Sequence, residues 1–176
     1  GQGAFQTADA FYSDPAKYPN AATMYPNMVD AVTWDGKKAG IPMGTAAFGV
    51  YYNKKLWAAA GLTDKDYPKT MDELLAAAKK LTKGNVYGMA APDKDAGFLS
   101  NLLHSGGGDY ISDGKAAIDS PTNVATLQKW QSAITQDKIS PTGMDATKAM
   151  QLFASGRAAM ILNGGGQSLG LCPCLV

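Results

Sequence analysis

The chain has 176 residues, 45% apolar and 18% charged, a globular balance that can bury a core without disulfide or metal staples. Lys and Arg number 16 against 15 for Asp and Glu, and the net charge of +1 makes no electrostatic case for nucleic acid or an anionic membrane surface. No apolar run approaches the roughly 20 residues of a membrane helix, and GQGAFQTADAF has neither the basic n-region nor the long apolar core of a signal peptide.

Residues 1–30 carry Pro15, Pro19 and Pro26 among Ala, Tyr and Asn, which predicts short helical turns broken at each proline. In VTWDGKKAGIP, Asp35-Gly36 is expected to supply the tight turn of a hairpin. A strand follows over residues 47–52, and Asn53 caps a helix that Gly61 stops. KTMDELLAAAKKL is the clearest helix, with Thr70 and Glu73 as a capping box and Met71, Leu74, Leu75, Ala78 and Leu81 on one apolar face. VYGMAAP reads as a short strand, and Asp95 caps a helix over residues 96–105. Asp113-Gly114 gives a second hairpin; Ser120-Pro121 then opens a helix whose expected face is Val124, Leu127, Trp130 and Ile134. A last helix near residues 145–155 carries Ala149, Met150 and Phe153, stops at Gly156, and leads into the buried strand RAAMILN.

Strands alternating with capped helices predict an α/β fold with a largely parallel sheet. Ligands bind such sheets beyond the carboxyl ends of the strands, which singles out residues 43–47, 91–98 and 163–166.

Catalytic chemistry finds little to use. GGGQSLG does not fit a dinucleotide fingerprint, and neither DGK sequence has the flanks of a phosphate loop. The only histidine, His104, reads as a structural or surface residue, and no G-x-S-x-G elbow precedes a serine. Asp93 and Asp95 are the one carboxylate pair worth weighing for glycoside hydrolysis, but carboxylates so close in sequence are more often a solvated loop and a helix cap. Scattered Asp residues give no metal-ligand spacing, nothing asks for a cofactor, and Cys172 and Cys174 read as tail. A binding surface remains. Tyr25, Trp34, Tyr51, Tyr52 and Phe98 are candidate stacking residues, with Thr45, Asp95 and Asn163 as orienting polar groups. The bland reading of each aromatic is core packing, and it is preferred for Trp57 and Trp130.

Four blocks in order carry a resemblance: WDGKKAGIPMGTAAFGVYYNKKLWAAAGL, PKTMDELLAAAKKLT, LLHSGGGDYISDGKAAIDSPTNVATLQKW and AMQLFASGRAAMILNGGG. Together they resemble the extracellular solute-binding proteins of family 1, the sugar-type receptors of ABC importers that include maltose-binding proteins. The resemblance implies a non-catalytic carbohydrate receptor with a periplasmic-binding-protein-like class II fold, two α/β lobes closing on a hinge. Its partners would be a mono- or oligosaccharide and a membrane permease, and its location periplasmic or extracellular, with a lipoprotein anchor on the full-length protein. Residues 1–44 would be a remnant of the N-terminal lobe, residues 45–166 most of the three-layer C-terminal lobe, and residues 167–176 an atypical tail. The chain is accordingly expected to be a fragment, and self-association through surface left by the missing lobe is an expected consequence. The ligand contacts implied are Gly44, Thr45 and Ala46 at the hinge, Asp95 and Phe98 from the second lobe, and Asn163, Gly164 and Gly165 after the last strand. The aromatic ring usual in that last loop is missing, which removes a stacking contact of about 0.5–1.5 kcal/mol.

Overall fold

The computed structural model describes residues 6–44 and 48–164. The chain divides into two compact units, Gly1–Ala46 and Ala47–Val176.

Prolines punctuate the first unit. Helix α1 (Asp9–Ser13) is followed by a 3-10 turn (Pro19–Thr23) and by α2 (Pro26–Ala31), with Pro19 and Pro26 at helix starts, where a missing N–H costs nothing. Strands β1 (Thr33–Trp34) and β2 (Lys37–Lys38) form the expected hairpin, with Asp35 and Gly36 both left-handed at φ 51° and 71°. Asp9 ties α1 to the hairpin by accepting the Lys38 N–H at 3.0 Å, while Ala8 N–H donates to the Lys38 carbonyl at 2.7 Å. That backbone donor is the main reason the Asp9 carboxyl sits below its ordinary pKa.

The second unit is built around β6 (Met160–Gly164). On one edge β6 pairs antiparallel with β3 (Phe48–Tyr52), in the register Phe48↔Gly164 to Tyr52↔Met160. On its other edge residues 87–90 run parallel to it, bridging Tyr87 to Ala158 and Ala90 to Ile161. This corrects the expectation of a largely parallel sheet. The sheet is mixed, and its longest ladder is antiparallel because β3 and β6 traverse the unit in opposite directions.

Alternation along these strands covers both faces. Tyr52, Met89 and Met160 join a cluster with Trp57, Phe98 and Trp130. Tyr51, Ala90 and Ile161 join another with Ala149 and Phe153. The first cluster is roofed by α3 (Lys54–Ala59), α4 (Met71–Leu81), α5 (Ala96–Ser105) and α6 (Pro121–Thr135), and the second by α7 (Ala146–Ala154). The result is the expected three-layer α/β/α arrangement.

The caps fall where side-chain chemistry puts them. Asn53 Oδ1 accepts the N–H groups of Lys55 and Leu56, and the Thr70–Glu73 capping box forms in both directions. Tyr52, Trp57 and Tyr67 pack ring against ring, with Tyr52 donating to the Tyr67 hydroxyl and Tyr67 to Asp64 at 2.6 Å. The bond to Asp64 is the first reason that Tyr67 ionises well above its usual pKa.

The buried face of α6 differs from expectation. Asn123, Thr126, Trp130 and Ala133 are buried, while Val124 is 40% exposed. Asn123 turns inward because its amide donates to two carbonyls, Asp109 and Ala117, each at 2.8 Å. These flank the second hairpin, β4 (Ile111–Ser112) and β5 (Lys115–Ala116), and so fasten it to the helix.

Candidate ligand-binding edge

Because residues 87–90 and β6 run parallel, the chain leaves both toward the same edge of the sheet. The 91–95 loop emerges there beside Asn163 and Gly164, and β3 begins there at Phe48, opposite Gly164. This is the kind of edge at which α/β sheets take ligands.

Asp95 is half-buried and caps α5, its Oδ1 accepting Phe98 N–H at 2.8 Å. Asp93 does something the sequence does not disclose. Its Oδ2 accepts Gly143 N–H at 2.8 Å and its Oδ1 accepts Met144 N–H at 2.6 Å. A return bond from Lys94 N–H to the Met144 carbonyl, 3.0 Å, completes a rivet between two loops about fifty residues apart in sequence. Both Asp93 oxygens and one Asp95 oxygen are thus engaged by backbone donors. An acid–base pair for glycoside cleavage would need these groups turned toward a substrate.

Phe98 corrects the expected stacking role. It is 4% exposed and meets Trp130 edge-on, with centroids 5.4 Å apart, so its ring face belongs to the core. Beside it, α5 and α6 border a cavity of about 420 Å³ lined by Asp93, Asp95, Phe98, Leu127, Trp130 and Gln131. Tyr51 and Tyr52 are likewise half-buried packing residues on opposite faces of β3. In the first unit, Tyr25 and Trp34 are exposed, at 71% and 77%.

Asn163 is half-buried, with its Oδ1 accepting Gly164 N–H at 2.8 Å and its amide 3.9 Å from the Met150 sulfur. Gly164 is half-buried at the end of β6. Gly44 is exposed and belongs to the first unit. Thr45, Ala46 and Gly165 lie outside the described residues, as do Cys172 and Cys174. Among the described residues no group of three His, Cys, Asp or Glu could hold a metal ion, and no helix is long and apolar enough to cross a membrane.

A mixed sheet between helical layers, with polar loops gathered at one edge, defines a lobe of the periplasmic-binding-protein type. A family profile described as bacterial extracellular solute-binding protein matches residues 2–170, and the chain belongs to that family. The galactooligosaccharide-binding protein of Bacillus subtilis is 25% identical over 145 residues, covering 74% of this chain and 32% of that protein. Among solved structures, a solute-binding protein of Thermotoga lettingae bound with α-D-tagatose superposes with a TM-score of 0.76 at 26% identity, over 95% of this chain and 44% of that one. Maltose-bound MalE3 of T. maritima gives 0.68 at 29% identity, over 91% of this chain and 42% of that one. The chain spans about a third of the length of the curated relatives it matches.

Proposed function

We propose that this chain supplies a carbohydrate-binding surface of an ABC import receptor and performs no chemistry on its ligand. The observation that carries the reading is the parallel bridge between Ala90 and Ile161, which brings the Asp95 loop and Asn163–Gly164 to one edge of the sheet. Asp95 and Asn163 would orient sugar hydroxyls, and Gly164 would allow close backbone approach. Gly44, Thr45, Ala46 and Gly165 are assigned to the same ligand by resemblance. In this reading residues 1–44 belong to a first lobe and residues 45–166 to a second, joined at a hinge. The receptor works outside the cytoplasm, anchored at the cell surface, and delivers its sugar to a membrane permease. Galactooligosaccharide, tagatose and maltose among the relatives' ligands support a carbohydrate.

Titration calorimetry against mono- and oligosaccharides tests this, on the chain alone and joined to the remainder of a full-length receptor. Binding by at least one sugar is expected; silence from all of them in the full-length receptor sinks a sugar ligand. Asp95 allows a finer experiment. Asp95→Ala removes the α5 cap and should cost about 1 kcal/mol of stability. Asp95→Asn keeps an equally good cap, so stability should hold while sugar affinity falls roughly tenfold through the lost charged acceptor. Unchanged affinity in Asp95→Asn removes Asp95 from the ligand set.

A further inference from the structure

A second concave surface lies at the far end of β6, and we propose that it binds a phosphoester group. The groove, about 500 Å³, is lined in part by Asn85, Tyr87, Lys138, Thr142 and Arg157, and no carboxylate lines it. Arg157 is the only arginine in the chain. Arg157 and Gly164 are separated by seven steps of extended chain, about 20 Å, so this groove is distinct from the sugar edge and does not rest on that reading.

Three observations converge on an anion. First, both cations are unspent: among the described residues the ion pairs are Lys79–Asp137, His104–Asp109, Lys129–Asp72 and Lys148–Asp145. The acid next to Lys138 in sequence, Asp137, is thus already matched by Lys79 at 2.7 Å. Second, Lys138 has a left-handed backbone at φ 55°, whereas the turns after α3, α4, α5 and α7 use Gly61, Gly84, Gly107 and Gly156, with φ between 60° and 81°. The fold itself would be better served by glycine there, so a lysine side chain at this position calls for another use. Third, the Arg157 main chain is held on both sides. Its N–H donates to the Leu152 carbonyl at 3.1 Å and its carbonyl accepts Tyr87 N–H at 2.9 Å. An exposed guanidinium is therefore carried on a fixed backbone.

The magnitudes favour the anion. The groove also meets the ends of α4 and α6 at Thr82 and Thr135, and a helix C-terminus carries about half a negative charge. Two full positive charges leave a surplus of about one. A guanidinium presents two parallel N–H donors to a phosphate, and the ammonium adds a point charge.

The test follows amide chemical shifts of the ¹⁵N-labelled chain during titration with inorganic phosphate and methyl phosphate. Saturable shifts are expected at residues 84–87, 138–142 and 157. Arg157→Gln should weaken both ligands about tenfold or more. Lys138→Gly should weaken them similarly while raising the melting temperature, a pairing that a purely structural lysine would not give. Sedimentation with phosphatidylglycerol rather than phosphatidylcholine vesicles, lost in Arg157→Gln, assigns the phosphoester to a lipid headgroup. A response to methyl phosphate without sedimentation assigns it to a soluble ligand. Absence of both responses, or responses unchanged in both variants, overturns the site.

Discussion

Replacing Gly88 by alanine is expected to remove on the order of 4 kcal/mol of stability, a large part of the 5–15 kcal/mol typical of a domain. A β-carbon at Gly88 would stand 1.8 Å from the Ala78 carbonyl oxygen and 2.7 Å from its Cα. Those atoms are helix backbone, so no side chain can rotate away. Helix α4 would have to move, and Ala78 and Leu81 in the core would move with it. Gly84→Ala is the comparison: unlike Gly88 it has a positive φ, 60°, but nothing lies within 4 Å of the added atom. It should cost only about 1–2 kcal/mol, the ordinary penalty of a left-handed residue. Urea unfolding of both variants measures the contrast, and equal midpoints would refute the close approach.

Asn123→Ala should cost about 2–4 kcal/mol, because it leaves the Asp109 and Ala117 carbonyls without their amide donor. Hydrogen exchange at Ala117, whose N–H closes the hairpin onto Tyr110 at 2.8 Å, should accelerate as the hairpin loosens. The other half of the amide sharpens the experiment. Asn123 Oδ1 is buried without a hydrogen-bond partner, and a β-carbon on Gly108 would come within 1.8 Å of it. The glycine makes room for that oxygen. Gly108→Ala should therefore be costly alone and much cheaper in an Asn123→Ala background, with a coupling of about 1–3 kcal/mol. Additive effects would mean that the two residues do not share the space.

Local chemistry was legible and distant partnership was not. The caps at Asn53, Thr70 and Asp95, the Asp-Gly turns and the left-handed stops at Gly61 and Gly156 follow from residues within four positions of one another. Helix α6 departs from the expected face at Val124 because an apolar-face rule ranks valine above asparagine; Asn123 wins the interior only through two carbonyls that flank the preceding hairpin. The loop rivet at Asp93 was illegible for the same reason, since its partners Gly143 and Met144 are far away in sequence. At the candidate edge, Asp95 could be placed from its capping pattern. The burial of Phe98 depends on Trp130, which no spacing rule connects to it.

The β3–β6 pairing bears on how this sequence can change. Tyr51 and Tyr52 of β3 go to opposite clusters, and each is matched in register to a residue of β6 in the same cluster, Tyr51 to Ile161 and Tyr52 to Met160. Exchanging one apolar residue for another of similar volume leaves that bookkeeping intact. Inserting or deleting a single residue in either strand would send every later side chain to the opposite layer. Drift in these two segments is therefore free in composition but nearly frozen in length, and length variation among relatives should gather in the hairpins and helix-end loops.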